Sequence, residues 1–314
     1  MNLSPRLTAI AIAMATPAAF AATPIEPLTF YGKVNVSVES VSDSKTGFER
    51  KTDVLSNSSR FGVKGGAAIN DSLDAIYTLE WGVSAADESA SSGDKNISAR
   101  NQYVGLAGGF GELVVGRNDT ILKQSQGKVD LFNDLRGDLG NLFVGEVRSG
   151  DSLTYKSPSF GGFQAGANWV TESAGYQDEN GEAEDAFSVG GWYGDDSLKQ
   201  QPFYAAVAYD SQIKGFDTLR ATLYGKLGPV QLGAVYQQQE EVANGAKAED
   251  GYLVNAGWTI NAVKLLAQFQ TDVIKLDMEL IRGVDTSPAR QAVIGGVVAI
   301  ARAMNIRVLA EGVE

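Results

Sequence analysis

The chain contains neither histidine nor cysteine, and this limits the chemistry that its side chains could perform. Histidine is the commonest general base and neutral metal ligand, and cysteine supplies thiol nucleophiles and zinc ligands. Any enzyme built from this sequence would depend on carboxylates, lysine and tyrosine. The net charge of −12 argues against nucleic acid as a partner, because phosphate binding requires clustered Lys and Arg. The composition therefore favours a protein that is not an enzyme and uses no cofactor or metal.

One long polar segment carries a regular row of carboxylates. The stretch VDLFNDLRGDLGN, within residues 119–149, contains Asp130, Asp134 and Asp138. Such a row is either a set of solvated acids on a surface loop or part of a functional site. The choice between the two depends on the elements that hold the segment.

The N-terminus, residues 1–21, has the features of a secretory signal peptide. Arg6 and the amino terminus supply positive charge, an apolar run extends from Leu7 to Ala15, and the sequence Ala-Phe-Ala at 19–21 matches a cleavage site. An amphipathic N-terminal helix is the alternative. No later run approaches the roughly 18 apolar residues that a spanning helix requires. We therefore expect an exported protein that could enter a membrane only as strands.

From residue 28 onward, apolar and polar side chains alternate. One face of the first segment carries Leu28, Phe30, Gly32, Val34, Val36 and Val38, and the other carries Thr29, Tyr31, Lys33, Asn35, Ser37 and Glu39. Period two predicts a strand with one apolar and one polar face. About thirteen such segments of barrel length occur, near 28–40, 53–67, 73–86, 96–108, 112–118, 150–158, 162–172, 185–195, 201–211, 217–228, 230–241, 250–261 and 262–270.

The connections between these segments differ systematically in length. Tight turns at 70–72, 108–111, 160–162, 228–229 and 261–262 alternate with polar loops at 41–52, 87–95, 119–149, 173–184 and 242–249. Short turns on one side and long loops on the other are typical of transmembrane barrels. A soluble all-β fold also alternates, but its aromatic side chains need not collect at strand ends. Here a group of aromatics lies near turns, as girdle residues do: Tyr31, Phe61, Tyr103, Phe110, Tyr155, Phe160, Phe163, Tyr204 and Tyr236.

Four stretches carry a resemblance to a known family. They are LTFYGKVNVSVE, SSRFGVKG, ARNQYVGLAGGFGELVVGRND and SLTYKSPSFGGFQAGANW. In order and spacing these resemble the general diffusion porins of Gram-negative bacteria. The resemblance implies an all-β fold, a transmembrane antiparallel β-barrel of about sixteen strands. It further implies contact with outer-membrane lipid, a homotrimer, passive diffusion of small hydrophilic solutes and ions, and a third loop folded into the pore.

The same resemblance implies a pore constriction. Residues 119–149 correspond to the third loop, so Asp130, Asp134 and Asp138 would be its acidic side. By match to the family's motifs, the basic side would be Arg60, Arg100 and Arg148, followed by Lys33 and Arg117. Opposed rows of charge would create a field across a water-filled gap, in which polar solutes align. The loop lacks the Pro-Glu-Phe-Gly-Gly motif that is common in the family. The acidic net charge of the chain would favour the passage of cations modestly.

The last 44 residues, 271–314, differ from the rest because they contain no Phe, Trp or Tyr. Two short apolar strands around a helical stretch at 289–304 predict a strand-helix-strand unit. The stretches DVIKLD and VLAEGVE resemble active-site strands of EAL-type cyclic-di-GMP phosphodiesterases. That resemblance implies a remnant of a metal and phosphate site at Lys275, Asp277 and Glu311. The family's other motifs are absent, so we expect no catalysis.

These observations divide the chain into a signal peptide (1–21), a porin barrel (22–270) and an EAL-like fragment (271–314). Because only about thirteen of about sixteen strands are visible, we expect an incomplete barrel joined to a foreign fragment. The favoured function is an outer-membrane diffusion channel. Two alternatives are a cyclic-di-GMP hydrolase, which nucleotide turnover would support, and a non-channel barrel acting as adhesin or receptor, which a plugged lumen would favour.

Overall fold

The computed structural model describes residues 27–43, 48–86, 96–135, 137–171, 185–242, 247–260, 263–270, 273–276, 291, 294–295 and 307–310. The predicted signal peptide lies outside these residues. So do the predicted loops at 87–95 and 173–184 and the predicted turn at 261–262.

β-Strands make up most of the described chain. In chain order they are β1 (Thr29–Lys33), β2 (Val36–Asp43), β3 (Phe48–Ser56), β4 (Arg60–Asn70), β5 (Leu73–Val83), β6 (Ile97–Gly108), β7 (Gly111–Asp119), β8 (Arg148–Lys156), β9 (Phe163–Val170), β10 (Ala186–Gly194), β11 (Phe203–Ile213), β12 (Phe216–Leu227), β13 (Val230–Glu241), β14 (Glu249–Ile260), β15 (Val263–Gln270), β16 (Val273–Leu276) and β17 (Arg307–Ala310).

Thirteen of these strands form one antiparallel sheet. Its order is β1 followed by β4 to β15 in chain sequence, each strand hydrogen-bonded to the next. The prediction of about thirteen consecutive antiparallel strands is thus confirmed. In the described part of the chain the sheet is open, because its outer strands β1 and β15 are not paired with each other.

The first two predicted strands are each interrupted once. β2 and β3 form a separate antiparallel ribbon that continues the β1–β4 pair outward. The interruption occurs where Ser58 adopts a φ of 51° and the Ser59 hydroxyl accepts the Asn35 N–H at 3.0 Å. The predicted loop at 41–52 is therefore wrong, since strand pairing extends to Asp43 and resumes at Phe48.

The sheet carries its apolar side chains on the outside. Phe30 is 76% exposed and Leu223 is 55% exposed, whereas Arg220 and Thr222, which alternate with Leu223 on β12, are 0% and 1% exposed. A soluble all-β protein would bury the apolar face instead. A sheet of this polarity requires lipid around it, and this confirms the transmembrane interpretation of the period-two pattern.

Two of the predicted girdle aromatics lie on the inner face instead. The Tyr31 hydroxyl donates to Glu80 Oε2 at 3.2 Å, and Tyr204, almost completely buried, donates to the Ser125 carbonyl at 3.0 Å. Tyr31 shares the polar phase of its strand with Lys33. The phase of the alternation, and not the distance from a turn, therefore decides which way an aromatic side chain points.

The connection between β7 and β8 folds against the inside of the sheet. It contains helix α1 (Ile121–Ser125) and a 3-10 turn (Leu139–Asn141). Its apolar side chains pack in a buried cluster with inward-facing residues of β11 to β14: Val129 and Leu139 from the connection, and Tyr204, Ala206, Tyr224, Val235 and Leu253 from the sheet. This connection, residues 120–147, is called the inner loop below.

Beyond β15, the described chain consists mainly of two short strands. β16 and β17 pair in parallel, with Val273 opposite Arg307 and Leu276 opposite Ala310. This is the pairing predicted for the strand-helix-strand unit. Most of the predicted helix at 289–304 lies outside the described residues, and so do Asp277 and Glu311. Within the described part of the chain, no helix is long and apolar enough to cross a membrane.

Candidate pore constriction

Side chains on the inner face of the sheet hold the backbone of the inner loop. Ser188 of β10 accepts the Leu122 N–H at 2.9 Å, and Asn255 of β14 donates to the Val129 carbonyl at 2.6 Å. Gly233 of β13 is paired with Asn255, and a Cβ there would come within 2.6 Å of Val129 Cγ2. The loop packs closely against β10 to β14 for two reasons. Polar side chains of these strands bind its backbone, and the glycine at position 233 leaves room for Val129.

A fully buried arginine fixes the returning end of the inner loop. Arg220 of β12 contacts Glu146 Oε1 through Nη1 at 2.6 Å and donates through Nε to Gln237 Oε1 at 2.9 Å. Its Nη2 donates to the Val144 carbonyl at 3.1 Å. A buried guanidinium is tolerated only with a paired charge and satisfied donors. Arg220 therefore requires this arrangement of the loop.

Asp134, near the tip of the inner loop, reaches the opposite wall. Its Oδ2 lies 2.8 Å from Lys33 Nζ and 3.1 Å from Arg60 Nη1. Burial alone would raise the pKa of this carboxyl, but the hydrogen bond from Lys33 and the charge of Arg60 outweigh burial and lower the pKa. Asp134 has a φ of 65°, and its N–H donates to Asp138 Oδ2 at 2.6 Å. The loop backbone thus turns sharply at the residue that meets the wall.

The other two predicted aspartates stabilise the loop itself. Asp130 is buried, and its two carboxylate oxygens accept the N–H groups of Phe132 at 2.9 Å and Leu139 at 2.8 Å. Burial raises the pKa of Asp130 to about 6, although these hydrogen bonds lower it. Asp138 caps the 3-10 turn by accepting the Gly140 N–H at 2.7 Å. In the described part of the chain neither carboxylate forms an ion pair with an arginine of the wall, although Asp138 lines the cavity between the loop and that wall.

On the wall, a glutamate joins two of the predicted arginines. Glu80 of β5 contacts Arg100 Nε at 2.5 Å and lies 4.0 Å from Arg60 Nε. Together with the loop tip this forms an alternating row of charges, here called the first ion-pair chain: Lys33, Asp134, Arg60, Glu80 and Arg100.

A second ion-pair chain runs from the wall into the base of the inner loop. Its members, in order of contact, are Arg148, Asp119, Lys123, Glu146 and Arg220. The N–O distances along it are 3.0, 3.3, 4.0 and 2.6 Å. Each chain contains three bases and two acids, so each carries one positive charge in excess.

The structure includes residues that sequence reasoning did not single out: Glu80, Asp119, Lys123, Glu146 and Arg220. For Glu80 and Arg220 the sequence holds a signal, since both lie on the polar phase of an alternating strand. Lys123 and Glu146 carry no such signal because the inner loop has no regular period. Asp119 is the last residue of β7 and follows an irregularity in the strand pairing between Gly116 and Asn118. Conversely, Arg117 does not join either chain; its Nη1 donates to the Arg148 carbonyl at 3.3 Å.

A polar cavity of about 420 Å³ lies between the inner loop and the charged wall. Its charged lining residues are four bases and five acids: Arg60, Arg100, Lys123 and Arg148, and Glu80, Asp119, Asp134, Asp138 and Glu146. Among the described residues, no group of three or more acidic side chains is placed to hold a metal ion. Fixed charges of both signs around an open, polar gap can orient and select dissolved solutes.

Comparison with known proteins identifies the family of this chain. A family model described as Gram-negative porin matches residues 7–295. The chain belongs to the Gram-negative porin family. Membership places this porin in the outer membrane, in agreement with its apolar exterior.

Relatives of this porin carry outer-membrane names. It is 30% identical over 164 residues to the major outer membrane protein P.IB of Neisseria sicca, covering 49% of this chain and 44% of that protein. It is 32% identical over 172 residues to a monosaccharide porin of a Halomonas species, covering 50% of this chain and 46% of that protein. The porin thus spans about half the length of the curated relatives it matches.

A solved structure shows the same fold. The anion-selective porin from Comamonas acidovorans superposes with a TM-score of 0.61 at 19% identity, covering 77% of each chain. At this identity the likeness concerns the fold alone. It agrees with the antiparallel sheet of this porin.

Proposed function

We propose that this porin is an outer-membrane channel through which small hydrophilic solutes and ions diffuse passively. The observation that carries the proposal is the gap at the constriction. An inner loop packs on one side of the lumen, charged side chains line the other, and a polar cavity of about 420 Å³ lies between them. A plugged lumen, as an adhesin or receptor barrel could have, would fill this space.

Passage through the gap requires no chemical step. The basic side is proposed to consist of Arg60, Arg100 and Arg148 with Lys33, and Asp134 is the loop carboxylate that faces them. Because these charges are fixed and close together, water in the gap is oriented, and an apolar solute would have to displace it. A polar solute exchanges hydration for contacts with the wall and crosses at lower cost.

The remaining predicted constriction residues are assigned supporting roles. Asp130 and Asp138 shape the inner loop through backbone hydrogen bonds. Arg117 supports the backbone at Arg148. The acidic net charge attracts cations to the mouth, whereas the two ion-pair chains each carry an excess positive charge. These two effects act in opposite directions, so the constriction decides the selectivity once an ion has entered.

The proposed partners are lipid and further copies of the chain. Exposed apolar side chains on the outer face fit the hydrocarbon of the outer membrane. A homotrimer is proposed from the resemblance to general diffusion porins. Native mass spectrometry of the detergent-solubilised protein should give a mass of three chains, and a monomer alone would remove the homotrimer from the proposal.

Planar-bilayer recording of the purified, refolded protein tests the channel. We expect discrete conductance steps, and we expect Arg60→Ala to shift the reversal potential in a salt gradient towards cations, because it deletes a positive charge at the gap. The matched control is Leu223→Ala on the lipid-facing side, which should leave the reversal potential unchanged. Folded protein that inserts into vesicles without conducting would contradict the channel and favour the adhesin or receptor alternative.

For residues 271–314 we propose an EAL-like remnant without activity. The parallel pairing of β16 and β17 supports it, because it places Val273–Leu276, from DVIKLD, beside Arg307–Ala310, which overlaps the start of VLAEGVE. Metal-assisted hydrolysis requires a complete set of ligands and a positioned water. A cyclic-di-GMP hydrolysis assay with Mg²⁺ or Mn²⁺ should therefore give no turnover. Turnover that is lost in Glu311→Ala would contradict this and support the hydrolase.

A further inference from the structure

The constriction cavity adjoins a second polar cavity. The second cavity has a volume of about 570 Å³ and is lined in part by Lys156, Gln164 and Asp195, which lie where β8, β9 and β10 meet the short connections. It therefore lies towards the short-turn end of the sheet. The two cavities have three lining residues in common: Asp119, Lys123 and Gln126. The two cavities therefore meet at this group.

At the junction, Lys123 is the one cationic side chain, among the residues that the structure describes, that lines both cavities. Its Nζ lies 3.3 Å from Asp119 Oδ1 and 4.0 Å from Glu146 Oε2. Both acids have further basic partners, because Asp119 contacts Arg148 at 3.0 Å and Glu146 contacts Arg220 at 2.6 Å. The carboxylates flanking Lys123 are therefore already matched by other charges. Within the second ion-pair chain three bases therefore face two carboxylates, and Lys123 is the middle base of the three.

The position of Lys123 is fixed by the inner loop. It lies in helix α1, where its own N–H donates to the hydroxyl of the N-cap residue Thr120 at 3.2 Å. The side chain is only 12% exposed, so its charge is screened less than that of a flexible surface lysine. The backbone of α1 is anchored in turn to Ser188 through the Leu122 N–H.

We propose that Lys123 is a selectivity-determining residue of the channel, acting on ions and charged solutes at the junction of the two cavities. The inference rests on the proposed diffusion function, since a barrel that conducts nothing has no selectivity. Under this proposal a charge on the inner loop discriminates between cations and anions, together with the arginines of the wall. The proposal also predicts that the side chain at position 123 can be reached by water-borne reagents from both ends of the lumen.

The absence of cysteine from the chain makes a sharp test possible. Lys123→Cys introduces a single thiol, which can be modified by a cationic or an anionic methanethiosulfonate reagent during bilayer recording. Loss of the ammonium should shift the cation-to-anion permeability ratio towards cations at least about two-fold, as expected for a unit charge within about 8 Å of a passing ion. The cationic reagent should reverse that shift, and the anionic reagent should increase it. Each reagent should react from either side.

Lys128→Cys is the matched control on the same loop. The Lys128 side chain is 62% exposed and lies 4.0 Å from Asp196, which lines the second cavity, but Lys128 itself is in neither cavity lining. The same two reagents should change the permeability ratio there by less than half as much. Lys123→Arg, which keeps the charge, should retain the ratio of the unaltered protein. If Lys123→Cys does not fold, Lys123→Gln provides the same comparison, because its amide can still hydrogen-bond Asp119.

The outcomes separate the two proposals. If the unaltered protein does not conduct, the proposed function fails. If the unaltered protein and Lys128→Cys conduct, but neither charge reagent moves the permeability ratio of Lys123→Cys, the role of Lys123 is overturned and the channel stands.

Discussion

Two regions of the inner face of the sheet, β11 to β14 and β4 to β6, carry different side chains. On β11 to β14, small and apolar side chains such as Ala206, Val235 and Leu253 form a seat for the inner loop. On β4 to β6, the same face carries Arg60, Glu80 and Arg100 and borders the open gap. Ordinary hydrophobic packing therefore fixes the loop on one wall, so the other wall can keep its charges in water. The gap therefore lies beside β4 to β6, because the inward-facing apolar residues that bind the loop are on β11 to β14.

The two ion-pair chains differ in the same way. The second ends in Arg220, which is fully buried, whereas the first begins at Lys33, whose side chain is 42% exposed. A buried charge that loses its partner carries a large desolvation cost, but an exposed pair is screened and contributes little. The second chain should therefore contribute more than the first to the stability of the loop.

The largest effect is expected from Arg220→Met. The substitution leaves Glu146 in a partly buried site without its closest basic partner and removes the donors that hold Val144 and Gln237. Breaking a buried pair in this way costs about 3–5 kcal/mol. Denaturant unfolding in detergent, followed by the mobility shift between folded and unfolded protein on gels, measures the loss.

The double variant Arg220→Met, Glu146→Leu is the control for that experiment. It removes both charges, so it should recover much of the lost stability. A single variant as stable as Lys33→Met would show that the two chains do not differ in the way proposed.

An intermediate effect is expected from pH, with opposite signs for two loop carboxyls. The pKa of Asp130 is raised by burial from 3.8 to about 6, so the folded state binds this proton more tightly than the unfolded state. Its contribution to stability is fully present below about pH 4 and is lost as the pH rises through about 6. The pKa of Asp134 is lowered by Lys33 and Arg60, so its contribution is present above the unfolded pKa and is lost as the pH falls through the folded pKa.

Unfolding midpoints between about pH 3 and pH 8 separate these two carboxyls. Asp130→Asn should reduce the fall in the unfolding midpoint as the pH rises from about 4 to about 6. Asp134→Asn should reduce the fall in the midpoint at the acid end of the range. Identical profiles for both variants would contradict the assigned environments.

The smallest effect is expected for the pair between Asp134 and Lys33, whose side chain is 42% exposed. A double-mutant cycle with Lys33→Met and Asp134→Asn should give a coupling free energy of about 0.2–1 kcal/mol. Raising the salt concentration to about 1 M should reduce it, because screening then acts within about 3 Å. The same salt increase should leave the effect of Arg220→Met nearly unchanged, and a loss of that difference would weaken the comparison of the two chains.

The strands were predictable because alternation is a local property. In β12, Leu219, Ala221 and Leu223 alternate with Arg220 and Thr222, and the structure places the two sets on opposite faces. Such a pattern requires no knowledge of distant residues. The strand count and the outward apolar face followed from it.

The details of the constriction were not predictable, because they depend on contacts between distant parts of the chain. Asp130, Asp134 and Asp138 look alike in sequence, yet only Asp134 reaches the wall. The difference arises from the turn at Asp134, where φ is 65°, and from the backbone N–H groups that occupy the other two carboxylates. Likewise, the polar phase places Arg220 inside, but its partner Glu146 is 74 residues away.

The seat of the inner loop has a consequence for the order of assembly. Its backbone is held by Asn255, 126 residues after Val129, and its tip by Lys33, 101 residues before Asp134. Contacts so far apart in sequence form late, since the intervening chain must first be ordered. During insertion the surface against which the loop packs forms only when β10 to β14 are in place. An intermediate that lacks those strands would therefore have a wider, unobstructed bore, and narrowing of the passage would mark one of the last events in maturation.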